Sequence, residues 1–326
     1  MKRYIIGIDD TDNYGSKGTG AIAGELKKII SDEGFGKTGF ITRHQLLIHP
    51  DIKYTSHNSS MIFTADIDES RINELETILE KHLKEESAEG SDPGLCIFCP
   101  EDLKDKSELI SFGYLAKNVV LTKEDAYRIA QRNNIYLKEL GGEGIGIIGA
   151  LAGVALRYSG NDGELKGGAK DFEEGETYLI KDFLAHKNID SVQDIDGDIP
   201  NENDEVYVPW KVKPILTKDK LVVFVKKNPK GGYIALAKQE NRELEEKRQD
   251  LTACDEFERD VDEELISSKN NTCANCMYRR WTDKAFTCVK GKKWWRKWQL
   301  IREHCKYHSM CYLQYYLLLL FLLACL

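Results

Sequence analysis

Apolar and polar positions along the chain divide it into short strands and amphipathic helices. Tyr4 to Ile8 is a compact apolar run that ends in acids, the pattern of a buried strand. Ala21 to Ile30 then spaces Ile22, Leu26, Ile29 and Ile30 at helical intervals. Gly36 to His49 and Ser59 to Asp66 read as strands, joined by a connection over 50–58. Arg71 to Glu86 is a helix whose stripe is Ile72, Leu75, Ile78, Leu79 and Leu83. A turn over 90–94 leads into a strand, Leu95 to Phe98. Helices are predicted over 106–117 and 123–133, the second with Thr122 as N-cap. Gly141 to Arg157 is a glycine-rich entry into a helix of small residues.

Further on the pattern thins. A helix over 177–187, strands over 206–212 and 221–226, and a turn over 228–232 make a small middle segment, too short for a large core of its own. The fold expected is an α/β N-terminal domain (an α+β mixed sheet), a small α+β middle segment and a cysteine-rich C-terminal module. Its boundaries are placed at 1–172, 173–238, a charged helix or linker at 239–266, the module at 267–311 and an apolar tail at 312–326.

Composition supports this division. The chain has 326 residues, 41% of them hydrophobic, enough to bury a sizeable core in two or more domains. Its net charge of −8 argues against one uniformly basic surface, yet Lys269 to Lys306 is strongly basic. No cleavable leader precedes the first strand, so a cytoplasmic protein with reduced thiols is expected. The tail, Tyr312 to Leu326, is nearly continuous in apolar residues but shorter than the roughly 20 needed for a span. It reads either as a membrane anchor or as an end that belongs to no selected fold.

The chemistry concentrates at the start. The first strand runs into Asp9, Asp10 and Asp12, then into Gly15, Gly18 and Gly20 around Lys17 and Thr19, then into a helix. Carboxylates suit Mg²⁺, and glycine amides at a helix N-terminus suit phosphate. This is not a Walker A loop, since the acids precede the glycines and the lysine precedes the last of them. Thr19 either caps the helix or accepts a phosphoryl group.

Other constellations carry less. Among His44, His49 and His57, the loop pair His57-Asn58 is the better candidate for a ligand contact. Gly144-x-Gly146-x-x-Gly149 matches a dinucleotide fingerprint by letter but sits late in its domain, and reads better as a close backbone approach. Cys273-x-x-Cys276 with Cys288 and Cys254 makes a candidate zinc site, with Cys305, His304, His308 and Cys311 competing for its incomplete second knuckle and an iron–sulfur cluster as the alternative metal group. The arginines, lysines and tryptophans around it suit RNA. Cys96 and Cys99 read as buried free thiols.

Four features together resemble the archaeal tRNA-isoleucine agmatidine synthetase family. They are Gly7-Ile8-Asp9-Asp10-Thr11-Asp12 with Thr19 beyond it, the stretch from Leu46 to Tyr54 with His49-Pro50, Asp92-Pro93-Gly94, and the run Gly144 to Ala152. The similarity spans roughly residues 3–160. It implies an ATP- and Mg-dependent enzyme that activates the wobble cytidine of a tRNA for attack by a small amine, agmatine. It further implies that Asp9, Asp10 and Asp12 hold metal and phosphates and that Thr19 becomes phosphorylated. Thr11, Lys17, Gly18, Gly20, His57, Asn58, Gly144 and Gly146 are the residues expected around the nucleotide. The family's OB-fold and paired cysteine knuckles are not visible in residues 173–326. The alternative expectation is therefore a nucleotide- or RNA-binding regulator that kept the fold without the chemistry.

Overall fold

The structure, a computed structural model, describes residues 1–54, 58–103, 106–241, 243–244, 279–281 and 286–288. Contacts divide the chain into two units, Met1–Lys247 and Arg248–Leu326.

In the first unit the elements run β1 (Lys2–Asp9), α1 (Thr19–Asp32), β2 (Gly36–Gln45), β3 (Ser59–Ile67), α2 (Ile72–Glu86), β4 (Gly94–Phe98), α3 (Lys106–Leu115), α4 (Lys123–Arg132), β5 (Tyr136–Glu139) and α5 (Gly146–Tyr158). There follow β6 (Glu164–Leu165), β7 (Thr177–Leu179), α6 (Ile180–Leu184), β8 (Ser191–Asp194), β9 (Glu205–Tyr207), β10 (Ile215–Thr217), β11 (Lys220–Lys227) and β12 (Tyr233–Ala235). Among the described residues these strands form one mixed sheet, ordered β5-β4-β1-β3-β2-β6-β10-β11-β12-β9-β7, with β8 parallel to β11.

β1 lies antiparallel between β3 and β4, so both edges of its apolar run are paired. Alternation along the strand sends Ile6 and Ile8 into a core with Ile22, Leu26, Leu75 and Leu79 of α1 and α2. On the other face Gly7 lies beneath α5, where an added Cβ would stand 2.7 Å from Val154. α5 is buried along nearly its whole length, which explains a sequence that is apolar all round and made of small residues. α3 and α4 cover its outer side.

Thr122 caps α4 as expected, and Asp125 completes a capping box. The middle segment differs from expectation. Where the pattern predicts a helix over 177–187, the chain forms β7 and then the five-residue α6. Thr177 and Tyr178 suit a pleated edge, and the Tyr178 ring packs edge-on against Phe172 at 5.0 Å. The strand predicted over 206–212 stops at Tyr207, because Pro209 has no N–H to continue a ladder. β5, β8, β10 and β12 are too short to show a period. This part of the chain also builds a core of its own, Phe172, Ile180, Phe183, Val192, Val206, Val223 and Val225 among its members. It does so by extending the first sheet rather than starting another.

In the second unit, β13 (Arg279–Trp281) and β14 (Phe286–Cys288) pair as an antiparallel hairpin. Cys254, Cys273 and Cys276 and the tail over 312–326 lie outside the described residues, and so does His57. Cys288 falls on β14. No helix among the described residues is long and apolar enough to cross a membrane.

Candidate active site

A cavity of about 560 Å³ opens where the end of β1 meets the N-termini of α1 and α5. Asp9, Asp10, Asp12, Gly18, Thr19 and Gly20 line one side of it. Gly146, Ile148 and Gly149 line another, and Ala116, Val119, Leu121 and Ile145 make an apolar wall. The loop after β2 contributes Asp51, Ile52, Lys53, Tyr54 and Asn58.

The three acids play different parts. Asp9 is 9% exposed, its carboxylate seated on Gly149, where an added Cβ would come within 1.6 Å of Oδ2. Burial pushes the Asp9 carboxyl up to about 8, and the neighbouring Asp10 charge adds to the shift. Asp10 has a backbone φ of 51°, a conformation uncommon for a side-chain-bearing residue, which breaks the strand at the cavity edge. Its carboxyl is raised to about 6 by burial first, then by Asp92 and Asp12, with Lys53 opposing. Asp12 accepts the backbone N–H of Thr19 at 3.1 Å through Oδ2.

That last bond settles how α1 begins. Gly18 occupies the N-cap position without a side-chain bond, and Thr19 is the first helical residue. The Thr19 hydroxyl therefore does not cap the helix as one of the two expectations had it. Asp12 satisfies the orphan amide instead, from seven residues upstream. Thr19 is 6% exposed and borders the cavity.

Three predicted contacts, Thr11, Lys17 and Gly144, lie away from the cavity wall. Lys17 is engaged by Glu25 at 2.7 Å and Glu86 at 2.5 Å. Gly144 donates its N–H to Asp92 Oδ1 at 3.0 Å, which fixes the turn ahead of α5. Thr11 is fully buried, and its hydroxyl has no partner among the described residues. Asn58 borders the cavity while its Nδ2 holds the Leu47 carbonyl at 2.6 Å. The glycine fingerprint is a close approach, since Gly146 lies against the Asp9 and Asp92 carbonyls and Gly149 beneath the Asp9 side chain.

The cations at the cavity come from places the sequence did not mark. Lys166 reaches back to donate to the Gly20 carbonyl. Arg43, also in the lining, bonds Ser59 Oγ at 2.9 Å and pairs with Glu164 at 3.1 Å. Lys53 meets Glu143 at 2.6 Å. No spacing rule brings Lys166 to Gly20, so only the fold could reveal it. Asp92, in contrast, was visible beside Pro93-Gly94 but carried no mark as a charge on Asp10.

On β2 itself, His44 is fully buried. Its Nδ1 lies 2.9 Å from Asp162, its Nε2 2.8 Å from the Thr42 hydroxyl, and Lys117 pairs with the same aspartate. His44 is thus a core histidine that ties β2 to the turn after α5, away from the loop contact considered for the histidines. Cys96 and Cys99 are buried free thiols, as expected.

Carboxylates are the donor type that a hard divalent cation takes. Asp9 and Asp10 are carboxylates whose charge is resisted by burial and by neighbouring acids, and a cation would relieve both. Among the described residues no group of three His, Cys, Asp or Glu side chains is placed to hold a metal ion. Two helix N-termini, those of α1 and α5, border the same space, an arrangement that favours anions.

No protein-family model matches the chain. An uncharacterized protein of Methanocaldococcus jannaschii is 30% identical over 158 residues, which cover 48% of this chain and 50% of the relative. The chain thus spans about half the length of the curated relative it matches. Among solved structures it is similar to an apo agmatidine synthetase specific for an isoleucine tRNA, at 25% identity over 47% of this chain and 35% of that one, with a TM-score of 0.41. A tRNA fluorescent labeling enzyme gives 28% identity over 47% and 36%, with a TM-score of 0.40. A complex of the synthetase with its isoleucine tRNA, AMPCPP and agmatine gives 20% identity over 76% and 56%, with a TM-score of 0.41.

Proposed function

We propose that the chain is an ATP- and Mg-dependent enzyme of the agmatidine-synthetase type that acts on RNA, with its phosphoryl chemistry at the end of β1. One observation carries the reading. Charge-stressed carboxylates and two helix N-termini meet at a single cavity, with Thr19 at its edge.

Asp9 and Asp10 would hold the cation, and Asp12 would serve it from the position where it already caps α1. A bound Mg²⁺ supplies charge neutralisation for the nucleotide phosphates. The amides opening α1 and α5 bind phosphate oxygens, and Arg43 and Lys166 border the same space as fixed positive charges. The apolar wall of Ala116, Val119, Leu121 and Ile145 receives the base and keeps water from it. Thr19, held by its own backbone bond to Asp12, offers its hydroxyl to the terminal phosphoryl group. An Oγ–P bond forms as the bond to the bridging oxygen breaks, ADP leaves and the hydroxyl proton passes to solvent. RNA as acceptor and a small amine as the second substrate follow from the sequence resemblance over residues 3–160. Cys254, Cys273, Cys276 and Cys288 are proposed to bind zinc in a module that contacts the RNA.

ATP consumption by the wild type and by Asp10→Asn, with Mg²⁺ and a tRNA transcript present, tests this. The wild type turns over ATP, and the variant loses at least about a hundredfold, the scale of a lost electrostatic contact to a developing charge. Equal turnover in both would sink the assignment. ATP bound but never consumed by the wild type would move the chain to the regulatory reading.

A further inference from the structure

A run of lysines leads away from the cavity. Lys166, in the cavity lining, stands against Gly20 at the start of α1, where an added Cβ would lie 2.6 Å from its Cε. The turn that follows brings in two more, since a Cβ added at Gly167 would lie 3.7 Å from Lys170 Cε and one added at Gly168 would lie 3.1 Å from Lys211 Cε. Lys27 lies two turns along α1 from Gly20, on the same face, and Lys187 follows α6. The lysine at 27 is lowered by burial, then by Lys166 and Lys187, and Lys166 by burial and Lys170.

Among the described residues these side chains lack a counter-charge. Among the described residues no carboxylate pairs with Lys27, Lys166, Lys170, Lys187 or Lys211. The adjacent acid, Asp171, is directed at His186 Nε2, 3.5 Å away. Lys170, Lys187 and Lys211 are exposed. Like charges held together in this way cost stability, and the chain keeps them although it is acidic overall.

We infer that Lys27, Lys170, Lys187 and Lys211 form a phosphate track that holds the sugar–phosphate backbone of an RNA while one nucleotide enters the cavity beside Lys166. The inference rests on the proposed function for the RNA itself and adds the surface that holds it. An RNA fits better than another polyanion because the lysines continue from the space where nucleotide phosphates would sit. Contacts of this kind fix position and carry no sequence preference.

The test uses the full chain and a fluorescently labelled, unmodified tRNA transcript, with anisotropy followed across a salt series. Lys27→Ala/Lys170→Ala/Lys187→Ala/Lys211→Ala should weaken binding about tenfold and lower the slope of log K against log salt by about 3. ATP binding in the absence of RNA should remain at the wild-type level. Lys81→Ala/Lys84→Ala on α2 should leave RNA binding unchanged. Wild-type affinity and slope in the quadruple variant, or an equal loss in the α2 variant, would overturn the track. So would loss of binding to phosphatidylserine–phosphatidylcholine vesicles with RNA binding intact. A wild type that consumes ATP but never binds the transcript would overturn the RNA reading beneath it.

Discussion

Asp9 is a carboxyl group built into a place that resists its charge. In the unfolded chain it titrates near the usual carboxylate value, whereas in the folded chain burial and Asp10 raise it to about 8. The folded state therefore holds a proton that the unfolded state has released. Without metal, this group's stabilising contribution is complete below about pH 4 and fades as the pH rises towards 8. Asp10, raised to about 6, acts in the same direction over the lower part of that window. Urea unfolding in EDTA should show lower stability at pH 8 than at pH 5, with a smaller difference in Asp9→Asn. Stability that is flat or rises across the interval would contradict this account of the site. The acids themselves were legible in the sequence as a cluster at a strand end, and the fold sets them at a cavity. Their division of labour was not. Asp9 depends on Gly149 and Asp10 on Asp92, contacts separated by many residues in the chain.

The elements show why α1 begins where it does. Gly18 supplies an extended backbone but no capping side chain, so the first helical amide is left to Asp12. Asp12→Ala should lower metal-free stability by about 1 kcal/mol, the usual scale of a lost N-cap. Calorimetric or urea melts would measure it, and an unchanged midpoint would mean that the amide finds another partner. Long elements with a full apolar stripe, such as α2 and α4, were legible because burial on one face imposes a helical period. β7, β10 and β12 were not, because three residues cannot display a period and their pairing comes from neighbours. α5 was legible as a helix of small residues, but its role of bringing a second N-terminus to the cavity depends on β1 beneath it.

At the scale of the whole unit, one sheet runs from β5 to β7, and the cavity lies near the middle of its N-terminal part. β6, only two residues long, bridges β2 and β10. It joins the part that carries the acids to the part that carries Lys211. The sheet thus places the cavity and the lysines proposed to hold RNA on one continuous body, which neither half of the sequence discloses alone. The central claim is that the start of α1 is where phosphoryl transfer happens. The direct measurement is to incubate the protein with Mg²⁺ and ATP labelled at the γ-phosphate, then locate the label by peptide mapping. The account predicts label on Thr19, absent from Thr19→Val and from Asp10→Asn. ATP consumed with no label on Thr19, or label that persists in Thr19→Val, would contradict it.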